Sequence, residues 1–260
     1  MKVCRFQALD PGERTVCMGI IEGNQVQETS REWPGPASRT GREWPLDRVR
    51  LLAPETPSKI VCLARNYKRH AAEMGGQAPS EPVIFLKPPS ALIGPGDTIE
   101  LPPDSQRVDF EGELAVVIGR RCARLGFEEN IGPYVAGFSC LNDVTARDLQ
   151  KKDGQFGRAK GFDTFCPLGP VIETEFDWTQ ARIETRVNGE LRQTGAAAEM
   201  IFPVDQVVRW ISRIMTLLPG DVIATGTPEG VSPLIAGDVV EVSIEGIGRL
   251  QNPVAARRAE

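Results

Sequence analysis

The chain has 260 residues, 41% hydrophobic and 25% charged, and its 35 acidic against 30 basic side chains leave a net charge of −5. That balance argues against a nucleic-acid or anionic-membrane surface, and no apolar run approaches the ~20 residues of a membrane helix. The single histidine, His70, removes histidine-rich zinc sites and every mechanism that needs two imidazoles.

Residues 1–50 read as a small β-rich N-terminal region. KVCRFQAL and RTVCMGIIEG have strand composition and flank a DPGE turn, and a polar stretch with proline, arginine and tryptophan connects them onward. MKVCRFQALDP lacks the apolar core of a secretion signal, so a cytoplasmic location is expected. From residue 51 to 254 strands follow more densely: PVIFLK, GELAVVIG, YVAGFSCL, RIETRVNG, DVIATG and DVVEVSIEG, separated by glycine and proline turns. Two segments read as helices. YKRHAAEMGG is closed by a glycine pair, and FPVDQVVRWISRIMTLLPG places Val207, Val208, Ile211 and Ile214 at core-facing spacing. GPGDTIEL, LPGDVIAT and IAGDVVEV recur irregularly and read as hairpin turns, and residues 255–260 read as a frayed tail. Strands outnumber helices without a βα alternation, which predicts an α+β fold of mixed sheets with few short helices. The six cysteines show no CxxC spacing and read as buried, reduced thiols. No phosphate-binding glycine motif is present.

DFEGELAVVIG carries an electrostatic problem. If residues 109–113 run as a strand, Asp109, Glu111 and Glu113 share one side at roughly 7 Å per two-residue step. Such a row needs arginine or lysine partners, shared protons or a divalent cation. Arg107 is near in sequence, and Asp143 stands at the end of a separate apolar strand. Two glutamates at i and i+2 and an aspartate from another strand supply three hard oxygen donors. They suit Mg²⁺ or Mn²⁺, with Ca²⁺ as an alternative. Asp109 is left either behind the site or paired to an arginine.

With ARNYKRHAAEM, EPVIFLKP, LNDVTARDLQ, AKGFDTFCPLGP, RVNGELRQTG, MIFPVDQVV and LPGDVIATGTPEGV in the same order, residues 51–254 resemble the fumarylacetoacetate hydrolase superfamily. The resemblance is to its single-domain branch of acylpyruvate hydrolases, oxaloacetate decarboxylases and 2-hydroxyhepta-2,4-diene-1,7-dioate isomerases. It implies mixed sheets rolled into a barrel-like core and a homodimer. It implies metal ligation by Glu111, Glu113 and Asp143, with Lys160 as the active-site lysine. Arg147 and Gln150 would line the cavity, Thr227 would lie in the turn that grips a substrate carboxylate, and Lys87 would be a further anion contact. His70 and Glu73 match a lid dyad that activates water. Their i, i+3 spacing on a helix lets the carboxylate orient the imidazole as a general base, and the glycine pair after it suits a hinge. Leu63 stands where the founding member has a fourth carboxylate, so three metal carboxylates are expected.

The activity implied is divalent-metal-dependent hydrolysis of a C–C bond in 2,4-dioxo acids of the acylpyruvate type, through a metal-bound enolate, with oxaloacetate decarboxylation as a second activity. The alternative enzyme is an isomerase or decarboxylase of 2-hydroxy-dienedioates. A catalytically silent metal-binding dimer on the same scaffold is the alternative of another class.

Overall fold

The computed structural model describes residues 1–9, 15–30 and 38–257. The expected DPGE turn lies outside them, as do part of the polar connector and the last three residues of the expected tail. The described residues are mostly strand, with four α-helices among them: α1 (Lys68–Glu73), α2 (Arg147–Asp153), α3 (Gly157–Lys160) and α4 (Val204–Ile214). The mixed-sheet α+β class expected of the sequence is the class observed.

The largest sheet runs in the order Arg39–Pro45, Gln25–Thr29, Val16–Glu22, Lys2–Ala8, Cys166–Glu173, Val135–Asn142, Gly112–Ile118, Val222–Ala224, Ile60–Ala64, Val83–Lys87. Most pairs are antiparallel, but Val222–Ala224 lies parallel to Ile60–Ala64. Gly112–Ile118 is central and every residue of it is buried, which is why it reads as one apolar run rather than an alternation. A second sheet orders Glu190–Ala196, Arg182–Val187, Val239–Ile244, Gly248–Ala256 and Ile99–Leu101. Here every other residue of Arg182–Val187 is buried, as expected of a sheet with one face in the core. Leu114, Val116 and Ile118 of the first sheet join Ile183, Val242 and Ile244 of the second in one apolar cluster, so the two sheets wrap a common core.

Several local expectations are refined. The N-terminal strands continue the main sheet, since Lys2 and Val3 pair with Glu173 and Ile172. The polar connector contains the strand Arg39–Pro45, in which only Trp44 is buried, packed edge-on to Phe6 with ring centroids 5.2 Å apart. Such an edge strand has no apolar alternation to reveal it. Ala255 and Ala256, read as tail, instead pair with Glu100 and Leu101 and are held by the sheet. In α4, Val207, Val208 and Ile211 are fully buried, whereas Ile214 in the final turn has left the core and is 55% exposed. All six cysteines are free thiols; five are buried and Cys17 is half-buried. No helix among the described residues is long and apolar enough to cross a membrane.

Candidate metal centre and its cavity

The convergence of Glu111, Glu113 and Asp143 follows from strand register. Gly112–Ile118 pairs antiparallel with Val135–Asn142, with Gly112 opposite Asn142 and Glu113 opposite Leu141. The ladder extends one rung further, where the Asp143 amide donates to the Glu111 carbonyl at 2.8 Å. Residues opposite each other share a face, and so do residues two apart on one strand. The three carboxylates therefore meet, with one ligand atom from each lying within 4.8 Å of the others. Gly112, between the glutamates, turns toward the second sheet, where a Cβ would stand 2.0 Å from Thr185 Oγ1. Asp109 does not join them. The strand breaks after it, and it pairs with Thr145 in a separate two-stranded ladder.

Compensation is unequal across the cluster. Lys160 Nζ donates to Glu111 at 2.9 Å and to Asp143 at 2.5 Å. Lys87 Nζ donates to the other Asp143 oxygen at 2.6 Å and to the Val144 carbonyl at 3.2 Å. Arg147 bonds Glu111 and reaches Asp109 at 2.9 Å, and Arg107 also grips Asp109, at 2.9 and 3.2 Å. Asp109 is thus a buried anchor for two arginines. Burial works to raise the Glu111 carboxyl, but Lys160 and Arg147 outweigh it and hold the group below the ordinary carboxylate range. Glu113 is the opposite case. Burial first, then Asp143 and Glu111, push its carboxyl well above that range. The Gly226 amide donates to it at 2.7 Å, yet among the described residues it forms no ion pair.

That chemistry fits a divalent ion. All three donors are hard oxygens, and their span is close to the roughly 4.2 Å between opposite oxygens at ~2.1 Å from Mg²⁺. The one carboxylate without a protein cation faces the position such an ion would take. Burial works to lower the Lys160 ammonium, but Asp143 and Glu111 more than offset this and raise it, so it remains a charged neighbour of the centre.

A cavity of about 310 Å³ opens onto the cluster, with Glu111, Glu113, Arg147, Gln150, Lys160, Thr227 and His70 on its wall. Gln150 Oε1 accepts from Arg147 at 2.8 Å, fixing the guanidinium beside Glu111. His70, only 6% exposed, places Nδ1 3.1 Å from Glu73 Oε2. The other Glu73 oxygen accepts from the Gly230 amide at 3.1 Å, and Arg69 pairs with Glu229 at 3.1 Å, so α1 is docked onto the Thr-Pro-Glu-Gly turn. Lys87, expected as an anion contact, is 1% exposed and absent from the wall; its charge is spent beneath Asp143. Lys160, which alone in sequence reads as a solvated loop lysine, closes α3 and is 3% exposed.

Sequence reasoning passed over two residues. Gln193 is 1% exposed; its Oε1 accepts from the Gly112 amide at 3.0 Å, and its Nε2 donates to Thr227 Oγ1 and the Pro228 carbonyl, both at 2.8 Å. It ties the carboxylate strand to the Thr227 turn. Its signal was weak, because on Glu190–Ala196 the leucine Leu191 faces out and the glutamine faces in. Asn66, fully buried, donates to the Phe202 and Thr225 carbonyls at 3.0 and 2.8 Å and accepts from the Phe202 amide at 2.8 Å, anchoring the start of α1.

Comparisons with known proteins agree with this geometry. Residues 59–255 match the family described as fumarylacetoacetate (FAA) hydrolase C-terminal, and residues 1–54 match one described as Rv2993c-like, N-terminal. The oxaloacetate tautomerase YisK of Bacillus subtilis is 40% identical over 264 residues, covering 94% of this chain and 87% of its own. The crystal structure of 2-hydroxyhepta-2,4-diene-1,7-dioate isomerase from Mycobacterium marinum superposes with a TM-score of 0.91 at 44% identity, covering all of both chains. Maleylpyruvate hydrolase from Sphingobium sp. SYK-6, solved with manganese(II) and pyruvate, superposes with a TM-score of 0.79 at 30% identity, covering 99% of this chain and 100% of that one. The chain belongs to the fumarylacetoacetate hydrolase family.

Proposed function

We propose that the protein is a divalent-metal-dependent hydrolase of 2,4-dioxo acids of the acylpyruvate type, working through a pyruvate enolate. The observation that carries this reading is a buried Glu111, Glu113 and Asp143 cluster sharing one cavity with Lys160 and the His70–Glu73 pair. Mg²⁺ or Mn²⁺ held by the three carboxylates would polarise the 2-oxo group of the substrate. The other roles fall to side chains. The Thr227 hydroxyl is already engaged, donating to the Gly112 carbonyl at 2.9 Å and accepting from Gln193, so its backbone amide is the donor that meets the substrate carboxylate. Lys160 has two N–H groups on carboxylates and a third left to stabilise the enolate oxygen.

Glu73 accepts from His70 Nδ1–H, which leaves Nε2 as the free base. His70 takes a proton from water as the water oxygen bonds to the C4 carbonyl carbon. The tetrahedral adduct collapses, the C3–C4 bond breaks, and its electron pair remains on C3 as the enolate. A carboxylic acid departs, and a proton returned to C3 completes pyruvate.

The 40% identity to an oxaloacetate tautomerase favours a second reading, keto–enol interconversion of oxaloacetate. It needs the same oxyanion stabilisation and a proton shuttle but no nucleophilic water. The test is chelation followed by Mg²⁺ or Mn²⁺, assaying acetylpyruvate cleavage, pyruvate release from oxaloacetate and oxaloacetate tautomerisation. Restored cleavage supports hydrolysis; restored tautomerisation alone transfers the assignment to the second reading. Failure of both ions in all three assays ends the proposal. The homodimer implied by family resemblance is retained as part of the proposal and is read by light scattering.

A further inference from the structure

The first turn of α2 carries two wall residues of the cavity, Arg147 and Gln150, and the segment 105–109 cradles it. Ser105 Oγ and the Gln106 amide each donate to Asp148, at 2.6 and 2.9 Å, and the Arg147 amide donates to the Arg107 carbonyl at 2.7 Å. Asp109 ends this segment, and its side chain has no exposure at all. Its backbone is held from two directions, by its own pairing with Thr145 and by the Leu234 amide, which donates to the Val108 carbonyl at 2.8 Å. The carboxylate therefore projects from a fixed point.

Arg147 engages every nitrogen of its guanidinium. Nε donates to Asp109 at 2.9 Å, Nη1 to Gln150 at 2.8 Å and Nη2 to one oxygen of Glu111. A planar fork with three fixed acceptors has one orientation. Among the described residues Arg147 pairs with no carboxylate but Asp109 and Glu111, so these two share its charge. Glu111 already meets a second cation, because its other oxygen accepts from Lys160 at 2.9 Å. Without Asp109 the whole charge of Arg147 would fall on Glu111, and the guanidinium could swing across both of its oxygens in competition with a dication.

We propose that Asp109 is a positioning residue of the metal centre that acts through Arg147: by holding Nε it confines the guanidinium to one oxygen of Glu111 and keeps that carboxylate able to bind the ion. This rests on the divalent-ion reading of the cluster and holds for either reaction considered above.

The test titrates Mn²⁺ calorimetrically into the metal-free wild type, Asp109→Asn, Arg147→Met and the double variant. Asp109→Asn should weaken binding ~10-fold when Arg147 is present and less than about threefold once it is gone. A ratio of the two losses below about threefold is what a charge acting on the ion directly would give, and it would overturn the role, as would no loss at all. A second readout needs no metal. Hydrogen exchange of the ¹⁵N-labelled arginine side chains should find in the wild type a protected Nε–H that Arg147→Met lacks, and Asp109→Asn should speed its exchange about tenfold or more. Unchanged protection would mean that Gln150 and Glu111 hold the guanidinium by themselves, which also overturns the role. If Asp109→Asn does not fold, Asp109→Asn with Arg107→Met, which neutralises the buried carboxylate together with its half-exposed partner, is read against Arg107→Met alone with the same outcomes expected. Wild-type protein that binds no Mn²⁺ would sink the metal reading and this role with it; wild type that binds Mn²⁺ but shows equal losses in both backgrounds would sink this role alone.

Discussion

Replacing Gln193 with leucine probes whether the Thr227 turn and the carboxylate strand are held as one unit. Gln193 makes three buried hydrogen bonds, at 3.0 Å from the Gly112 amide and at 2.8 Å to both Thr227 Oγ1 and the Pro228 carbonyl. Leucine fills much of the volume but leaves the Gly112 N–H and the Pro228 carbonyl without partners, at roughly 1–3 kcal/mol each. Thr227 keeps its bond to Gly112 and loses about 1 kcal/mol, and the added apolar burial returns a similar amount. The net loss is about 4 kcal/mol, a large part of the ~5–15 kcal/mol available to a folded domain. Guanidinium unfolding should show a lower midpoint with an unchanged slope, which assigns the effect to the native state. KM for a 2-oxo acid should rise as well, because the amide of Thr227 loses its fixed position. A loss below about 1 kcal/mol would refute the reasoning, since it would mean that water or a neighbour satisfies both orphaned groups.

Three further outcomes are expected. Glu113→Gln should weaken Mn²⁺ binding by about 100-fold in calorimetric titration and leave the metal-free melting temperature unchanged or higher, because it replaces a buried carboxyl that no protein cation meets and whose ionised form burial and its acidic neighbours disfavour. Lys87→Met should destabilise the metal-free protein by about 3–5 kcal/mol in chemical unfolding, because Asp143 loses one of its two cations inside the core; a loss under 1 kcal/mol would place Asp143's compensation entirely on Lys160. His70→Ala should lower acetylpyruvate hydrolysis by roughly 10²–10⁴-fold while sparing part of any pyruvate release from oxaloacetate, which needs no activated water. Equal losses in both assays would reject that division.

The strands that carry the centre were legible because they obey simple rules. Gly112–Ile118 is an uninterrupted apolar run, and Asp143 follows another such run directly, so acids at strand ends stood out. The one-rung extension of the register was not legible, and it is what brings Asp143 opposite Glu111 rather than Glu113. Neither was the break after Asp109, which diverts that carboxylate from its expected row to a pair of arginines. The buried pairing of Lys87 and the inward turn of Gln193 were hidden for a common reason. A polar residue is legible when its surroundings are polar, and these two sit in strands where the partner that makes burial tolerable lies 56 and 34 residues away. His70 and Glu73 needed only local spacing, and both hold the contacts that spacing allows.

Lys87 and Lys160 lie against the acids from within the protein and pair with them without any ion. The fold would thereby not depend on the proposed metal, unlike small domains that unravel under chelators. The same lysines would compete with an incoming dication for the acids, which would keep its grip modest. Occupancy would then follow the free ion concentration of the surroundings, and an anionic ligand arriving together with the ion would be the means of retaining it.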